Sequence, residues 1–194
     1  MRMRRTLRRL RREAGYTLIE MLTVLVIMGV VTGSLTTLFV QASNAESDMN
    51  NRFQAQLTAR LALDKMRREV HCASVATPAG SSSSVTLTLP SYCKTGSGSI
   101  TWCTRSLGTN RFGLYRVPGA PGTCTGGVKW ADYLTPTASA PGCSGALCIF
   151  TYTAQSATSL ATMHVDFPVN VRPAKTVELY ELADDIVLRN STRS

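Results

Sequence analysis

An apolar run near the N-terminus constrains this chain more than any other feature. Residues 16–40 contain one charged side chain, Glu20, among 25 residues. About 20 apolar residues are enough to cross the hydrocarbon core of a bilayer as a helix. The run therefore predicts a single membrane-spanning helix. A secretory signal peptide fits less well, because its small-residue cleavage site follows the apolar core, whereas Ala14 and Gly15 precede it here.

The charge of the chain is concentrated at its N-terminal tip. Seven arginines precede Gly15 against one acid, Glu13, and they supply +6 of the formal net charge of +9. Positive charge flanking a membrane segment stays in the cytoplasm, so we expect a cytoplasmic N-terminus and an external remainder. Because the basic character belongs mainly to this tip, the net charge gives little support to a nucleic-acid-binding function.

Glu20 is the anomaly in the apolar run. An acid deep in a membrane helix costs roughly 2.5–3.5 kcal/mol on insertion scales, and a passive anchor gains nothing from it. A cut after Gly15 would give Tyr16 a free α-amino group, within one helical turn of Glu20 or facing Glu20 of a neighbouring subunit. Gly15 suits such a cut, because a residue without a side chain fits a narrow protease site.

The stretch GYTLIE at 15–20, after a basic leader and before an apolar helix, resembles the class III signal of type IV prepilins and pseudopilins. Tyr16 stands where the family commonly has Phe. The resemblance implies cleavage after Gly15 by a membrane prepilin peptidase and N-methylation of Tyr16. It also implies that Glu20 pairs with the N-terminal amine of an adjacent subunit. The implied partners are the peptidase, other pilin or pseudopilin subunits, the inner-membrane assembly platform and membrane lipid.

The segment after the cut site favours one long helix. No proline occurs before Pro78, so a helix is predicted from Tyr16 to about Ser74. Gly29 and Gly33 form a small-x-x-x-small pattern, which lets helices approach closely in lipid. A stripe of large apolar side chains at helical spacing follows and predicts a face covered by a sheet or another helix. The stripe consists of Met49, Phe53, Leu57 and Leu61, continued by Leu63, Met66 and Val70.

The composition changes after the predicted helix. Residues 76–84 read as a linker or loop from their Pro, Gly and Ser content. Short β-type runs follow, and in the last long one Met163, Val165 and Phe167 alternate with His164 and Asp166. The expected fold class is α+β and pilin-like, with an antiparallel sheet over the helix stripe. The expected divisions are a leader at 1–15, a membrane half at 16–40, an amphipathic half at 41–75 and a β-rich head at 76–194. The runs lie at 85–90, 99–104, 112–117, 147–153, 161–169 and 184–190.

Six cysteines in an external domain point to disulfides. Cys93 and Cys103 flank a segment symmetric about Gly98, which predicts a hairpin bridge. Cys143 and Cys148 bracket a tight loop. Cys72 and Cys124 remain, and their bridge would tie the helix end to the sheet.

Enzymatic chemistry finds little support in the sequence. The two histidines, His71 and His164, sit in no metal-binding motif, and no nucleophile or phosphate-binding motif occurs. We therefore expect no enzyme, no cofactor and no metal site. Asp184 and Asp185 could bind calcium, but a lone acidic pair is more often a solvated turn. A mixture of basic and aromatic residues could bind DNA by charge and stacking, or could be a sheet with alternating buried aromatics and exposed basic residues. Its members are Arg105, Arg111, Arg116, Lys129, Trp102, Phe112, Tyr115 and Trp130.

Within the family, residues 61–75 and 184–190 resemble the helix end and last strand of J-type minor pseudopilins and W-type minor pilins. The resemblance implies a low-copy structural subunit at or near the tip of a type IV pilus or type II secretion pseudopilus. It would help to initiate filament assembly, first in the bacterial inner membrane and then in a surface or periplasmic filament. Two alternatives stay open: a DNA-binding tip subunit of a competence pilus, and a membrane-anchored protein with no filament role.

Overall fold

The computed structural model describes residues 17–119, 121–175 and 178–191. Helix α1 spans Leu18–Cys72, and eleven β-strands follow it within these ranges. The predicted long helix is therefore confirmed, and it ends two residues earlier than Ser74. The strands are β1 Val75–Thr77, β2 Gly80–Ser82, β3 Ser84–Leu89, β4 Gly98–Gly108, β5 Arg111–Pro118, β6 Val128–Leu134, β7 Gly142–Cys143, β8 Ala146–Leu147, β9 Phe150–Thr153, β10 Thr162–Val169 and β11 Tyr180–Val187.

The chain divides into two compact units, one reaching to Asp48 and the other beginning at Met49. The described part of the first unit is the N-terminal portion of α1, whose side chains are almost all exposed. In the part of the chain described, α1 is the one helix that is long and apolar enough to cross a membrane, and its apolar window is entirely unburied. The N-terminal portion of α1 is therefore suited to lipid rather than to a protein core.

The second unit is built around a nine-stranded antiparallel sheet. Its hydrogen-bonded order is β1-β3-β4-β5-β6-β10-β9-β2, and β11 pairs with β10. Strands β7 and β8 form a separate small hairpin. The C-terminal part of α1 packs against the large sheet through a shared core. The α+β, pilin-like fold class predicted from the sequence is confirmed.

Strand β10 has the side-chain alternation that its sequence predicts. Met163, Val165 and Phe167 are fully buried in the core, and His164 on the other face is exposed. Asp166 shares that outer face but is nevertheless buried. Alternation of this kind arises because successive side chains of a strand point to opposite faces of the sheet.

The face of α1 that covers the sheet is not the predicted one. Its covered residues include the small Ala55, Ala59 and Ala62, together with the predicted Leu63, Met66 and Val70. The large side chains at 49, 53, 57 and 61 are 39–71% exposed. At about 100° per residue, the two sets lie on roughly opposite sides of the helix. The prediction was wrong for these four residues, because alanines let the helix backbone approach the sheet closely.

The predicted linker at 76–84 was also wrong in part. It contains β1, which pairs with β3, and β2, which pairs with β9, so both ends of the sheet lie in this segment. Strand β6 was not predicted, because Lys129 and Asp132 interrupt its apolar pattern. Short strands at sheet edges tolerate the polar and Gly-rich composition that reads as a loop.

Three disulfides join all six cysteines, but two of the predicted pairs were wrong. The bonds are Cys72–Cys93, Cys103–Cys124 and Cys143–Cys148, of which only the last was predicted. The predicted Cys93–Cys103 pair fails because Leu89 pairs with Gly98 across the β3–β4 hairpin. This register puts Cys93 in the turn and Cys103 well inside β4, opposite Ser84.

Cys93 is therefore free to reach the end of α1, with a Cα–Cα distance of 6.0 Å to Cys72. Cys103 instead joins Cys124 in the loop between β5 and β6, at 5.9 Å. The bridge from the helix end to the sheet region was correctly expected at Cys72, but its partner was wrong.

Candidate functional site

Glu20 lies in the first turn of α1 and is exposed. Its backbone N–H donates to the carbonyl of Thr17 at 3.0 Å, and its own carbonyl accepts from the Thr23 hydroxyl at 2.9 Å. A negative charge in the first turn is favoured by the helix dipole. Gly15 and Tyr16, the predicted cleavage and methylation sites, lie outside the described residues. The Glu20 carboxylate thus lies at the N-terminal end of α1, close to the cleavage site predicted from the sequence.

We call residues 17–40 the membrane-type segment, and several of its hydroxyls are hydrogen-bonded within the helix. Thr32, Ser34, Thr36 and Thr37 donate to carbonyls three or four residues earlier, at 2.7–2.8 Å. In lipid, a polar group without a partner costs several kcal/mol, so these bonds suit an apolar environment. Glu20 is the one charged side chain among residues 17–40, and none of these helix-internal bonds involves its carboxylate.

Gly29 and Gly33 lie on an open surface of α1. A Cβ added at either position would meet no heavy atom within 4 Å. The two glycines therefore leave a shallow surface that no described residue fills. Their role as a helix-packing face stays a prediction.

Beyond the membrane-type segment, α1 presents large apolar side chains to solvent. We call Met49, Phe53, Leu57 and Leu61 the outer stripe; their exposed fractions are 71%, 61%, 39% and 53%. Single exposed apolar residues are ordinary, but a row of four at i, i+4 spacing on one helix face marks an interaction surface. The outer stripe and Glu20 are both exposed in the part of the chain that the structure describes.

The opposite face of α1 is fixed to the sheet by a buried carboxylate that the sequence reading missed. Glu69 is fully buried, and its Oε2 accepts from Trp102 Nε1 at 2.8 Å. Its Oε1 accepts from both Nε and Nη2 of Arg116 at 2.9 Å, and from Lys65 Nζ at 3.2 Å. A Glu within a basic helical stretch predicts a solvated side chain. Its burial depends on Trp102 and Arg116, which are distant in the sequence.

The basic and aromatic residues considered for DNA binding are mostly buried or paired with other residues of this chain. Trp102 and Phe112 are buried in the core, so they offer no face to a base. Arg111 forms two hydrogen bonds with Asp132 at 3.0 and 2.8 Å, and Lys129 contacts the same carboxylate at 2.7 Å.

The other two arginines of the mixture are also paired. Arg116 is bound to Glu69, while Arg105 stacks 3.7 Å above the Tyr115 ring and donates to the Gly126 carbonyl. The buried Trp102 and Phe112 agree with the alternative of a sheet with alternating buried aromatics and exposed basic residues, but Arg111, Arg116 and Lys129 are paired with carboxylates.

Asp132 is held as a carboxylate by this pairing. Burial alone would raise its pKa, but hydrogen bonds from Arg111, Lys129 and the Tyr133 backbone N–H outweigh burial and lower the pKa to about 2. Ion pairs of this kind stabilise the sheet surface and reduce the positive charge that a polyanion could meet.

The residues considered for metal binding are also separated. Asp184 and Asp185 point to opposite faces of β11, where Asp184 pairs with Arg67 at 2.9 Å and Asp185 with His164 at 2.9 Å. His71 lies in the last turn of α1, and its Nδ1 is 2.9 Å from the Val187 carbonyl. Over the described ranges, no group of three or more His, Cys, Asp or Glu side chains could hold a metal ion.

Comparison with known proteins identifies the N-terminal segment. The family model for the prokaryotic N-terminal methylation motif matches residues 10–36. No curated protein and no solved structure matches the chain. The match includes Gly15, Tyr16 and Glu20, as well as Gly29 and Gly33. Such a motif implies processing by a prepilin peptidase, anchoring in the inner membrane and assembly with other pilins.

The matched segment extends into the apolar helix, and the disulfide-linked sheet follows that helix in the chain. The matched residues include the start of α1, the lone acid of the apolar run, Glu20, and the exposed Gly29 and Gly33. The chain carries the class III signal of type IV prepilin-like proteins at the start of an α+β, pilin-like fold.

Proposed function

We propose that this chain is a minor pilin or pseudopilin, a structural subunit at or near the tip of a type IV pilus or type II secretion pseudopilus. Its role is to help initiate filament assembly. In this proposal the peptidase cuts after Gly15, Tyr16 becomes the methylated N-terminus, and Glu20 meets the amine of an adjacent subunit. The N-terminus starts in the cytoplasm and the second unit lies outside, before the subunit passes into a filament.

The observation that carries the proposal is the outer stripe. The helix covers its own sheet with alanines and with Leu63, Met66 and Val70, yet it leaves the four large apolar side chains of the outer stripe exposed. Burying apolar area stabilises by roughly 25 cal/mol per Å², so an uncovered stripe favours association with another surface. Because α1 also carries the class III signal, the expected surface is the helix of another subunit.

The test changes the outer stripe without touching the core. Phe53→Asn combined with Leu57→Asn should leave folding intact, since both side chains are exposed. In cells that produce the filament machinery, the double variant should reach the membrane at the wild-type level. It should then be depleted from sheared filaments and from cross-linked complexes with other subunits, as measured by quantitative immunoblotting.

Gln54→Asn, at an exposed neighbouring position, is the matched control and should assemble as wild type does. Equal recovery of the stripe variant and the wild type in filaments would contradict the proposed function. Loss of the variant from the membrane itself would instead indicate a folding defect, and proteolysis of purified protein would detect it.

A further inference from the structure

A groove of about 690 Å³ crosses the outer face of β10 and β11, away from α1. The strand register places Asp166 opposite Ala183 and His164 opposite Asp185 on this face. The loop after β6 contributes Thr137 and Ser139 to the rim, and Leu179 contributes an apolar wall. The groove therefore lies within the second unit and shares no residue with the outer stripe.

Asp166 is the unusual residue of the groove. It is 3% exposed, yet its Oδ1 is buried with no hydrogen-bond partner among the described residues. Among the described residues that line the groove, none is a lysine or an arginine. Burial raises the pKa of the Asp166 carboxyl, and the nearby Glu181 charge raises it further, against the influence of His164. A buried carboxylate without a cation is costly, so its retention favours a role beyond packing.

The groups around Asp166 are mostly hydrogen-bond acceptors. Glu181 Oε1 accepts from the Ser139 hydroxyl at 2.7 Å, and that hydroxyl lies 3.0 Å from Thr137 Oγ1. The His164 ring nitrogen Nδ1 is already 2.9 Å from Asp185. The complementary ligand is a group with several N–H donors, a positive charge and an apolar stem that can lie along Leu179.

We propose that this groove binds a guanidinium or ammonium group on an apolar stem, the chemistry of an arginine or lysine side chain. Asp166 and Glu181 neutralise the charge, and Leu179 contacts the methylenes. Ser139 is exposed, so its side chain can turn aside and give the cation access to Asp166. A metal ion is a poorer candidate, since the described residues offer no cluster of three ligands here.

A structural role for Asp166 predicts a different behaviour. If the Asp166 carboxylate stabilised the fold, converting it to an amide would lower the stability of the protein. If it is buried without a partner, the same change removes the free-energy cost of burying its charge. Asp166→Asn should therefore leave the thermal midpoint unchanged or raised while it weakens cation binding. This combination separates a binding residue from a structural one.

The experiment is isothermal titration calorimetry on the full chain purified in detergent. The probes are N-acetylarginine amide, agmatine and the uncharged N-acetylnorleucine amide. Wild type should bind at least one cationic probe saturably and should not bind the norleucine compound. Asp166→Asn should weaken that binding by about tenfold or more, since a hydrogen bond to a charged group is worth about 1.5–3 kcal/mol. Asp64→Asn, an exposed acid on α1, is the matched control and should bind as wild type does.

The two cationic probes separate the possible sources of the ligand. Binding of N-acetylarginine amide indicates a side chain presented by a protein, and binding of agmatine alone indicates a free small amine. No saturable binding of either probe would overturn the proposal. Equal affinity of wild type and Asp166→Asn would also overturn it, as would a lower thermal midpoint in Asp166→Asn without weaker binding.

Discussion

At the residue scale, one buried carboxylate joins the helix to the sheet. Glu69 receives hydrogen bonds from Trp102 on β4 and from Arg116 on β5, and it forms an ion pair with Lys65 one turn earlier in α1. Each partner satisfies part of a charge that would otherwise be costly to bury. The same pairing removes Arg116 from the surface, so one group serves packing and charge balance together.

Replacing Glu69 by Ala should destabilise the second unit strongly. The change leaves the indole N–H of Trp102 and the charge of Arg116 without partners, and breaking a buried pair costs about 3–5 kcal/mol. Urea unfolding of purified protein, followed by tryptophan fluorescence, measures the loss. Asp64→Ala, at an exposed site, should change stability by no more than about 0.5 kcal/mol. A loss below about 1 kcal/mol for Glu69→Ala would contradict the structural role given to this carboxylate.

Asp132 predicts a specific dependence of stability on pH. Because the pKa of Asp132 is lowered to about 2 in the folded chain, its ionised form stabilises the fold at pH values above its unfolded pKa near 3.8. That contribution should be lost as the pH falls from about 4 towards 2. The difference in unfolding free energy between wild type and Asp132→Asn should be constant above this window and shrink within it. A difference that stays constant down to pH 2 would show that Asp132 is not held by Arg111 and Lys129.

At the element scale, α1 has two apolar faces with different side-chain sizes. The face on the sheet contains three alanines beside Leu63, Met66 and Val70, whereas the outer stripe consists of large residues alone. The sequence signals the large side chains more strongly, so periodicity alone selected the wrong face. For β10, alternation sufficed because Met163, Val165 and Phe167 are all large and all face the core.

The long-range pairings could not be predicted from the sequence. Disulfide partners depend on the β3–β4 register: Cys103 is the cysteine nearest to Cys93 in the sequence, but the hairpin geometry separates the two. Glu69 depends on Trp102 and Arg116, which are 33 and 47 residues away along the chain. By contrast, the N-terminal signal is local, so Gly15, Tyr16 and Glu20 could be selected from residues alone.

The disulfides should stabilise the fold unequally. Cys103–Cys124 closes a segment with a sequence separation of 21, whereas Cys143–Cys148 has a separation of 5. Loop-closure entropy predicts a stabilisation of about 3 kcal/mol for the longer loop and about 2 kcal/mol for the shorter one. Replacing each pair by serines and measuring urea unfolding under oxidising conditions tests the order. Mass mapping of the wild type supplies the control, and recovery of a Cys93–Cys103 peptide or a reversed order would contradict the assignment.

At the scale of the whole molecule, the two units present different surfaces. The first has a bare apolar helix with an acid in its first turn, and the second has its own core, three disulfides and the outer stripe. Neither Glu20 nor the outer stripe has a partner within the described chain. A subunit designed to assemble accounts for both features, whereas a plain membrane anchor accounts for neither.

The most direct test of this account is the recovery of Glu20→Ala in assembled filaments or tip complexes relative to its amount in the membrane. The variant should still be cut after Gly15, which N-terminal sequencing checks, and should still be anchored, because the apolar run is intact. We expect it to assemble poorly, since the amine of an adjacent Tyr16 loses its counter-charge. Glu20→Asp should be intermediate, as its carboxylate remains but its reach is shorter. Assembly of Glu20→Ala at the wild-type level would contradict the account and favour a plain anchor.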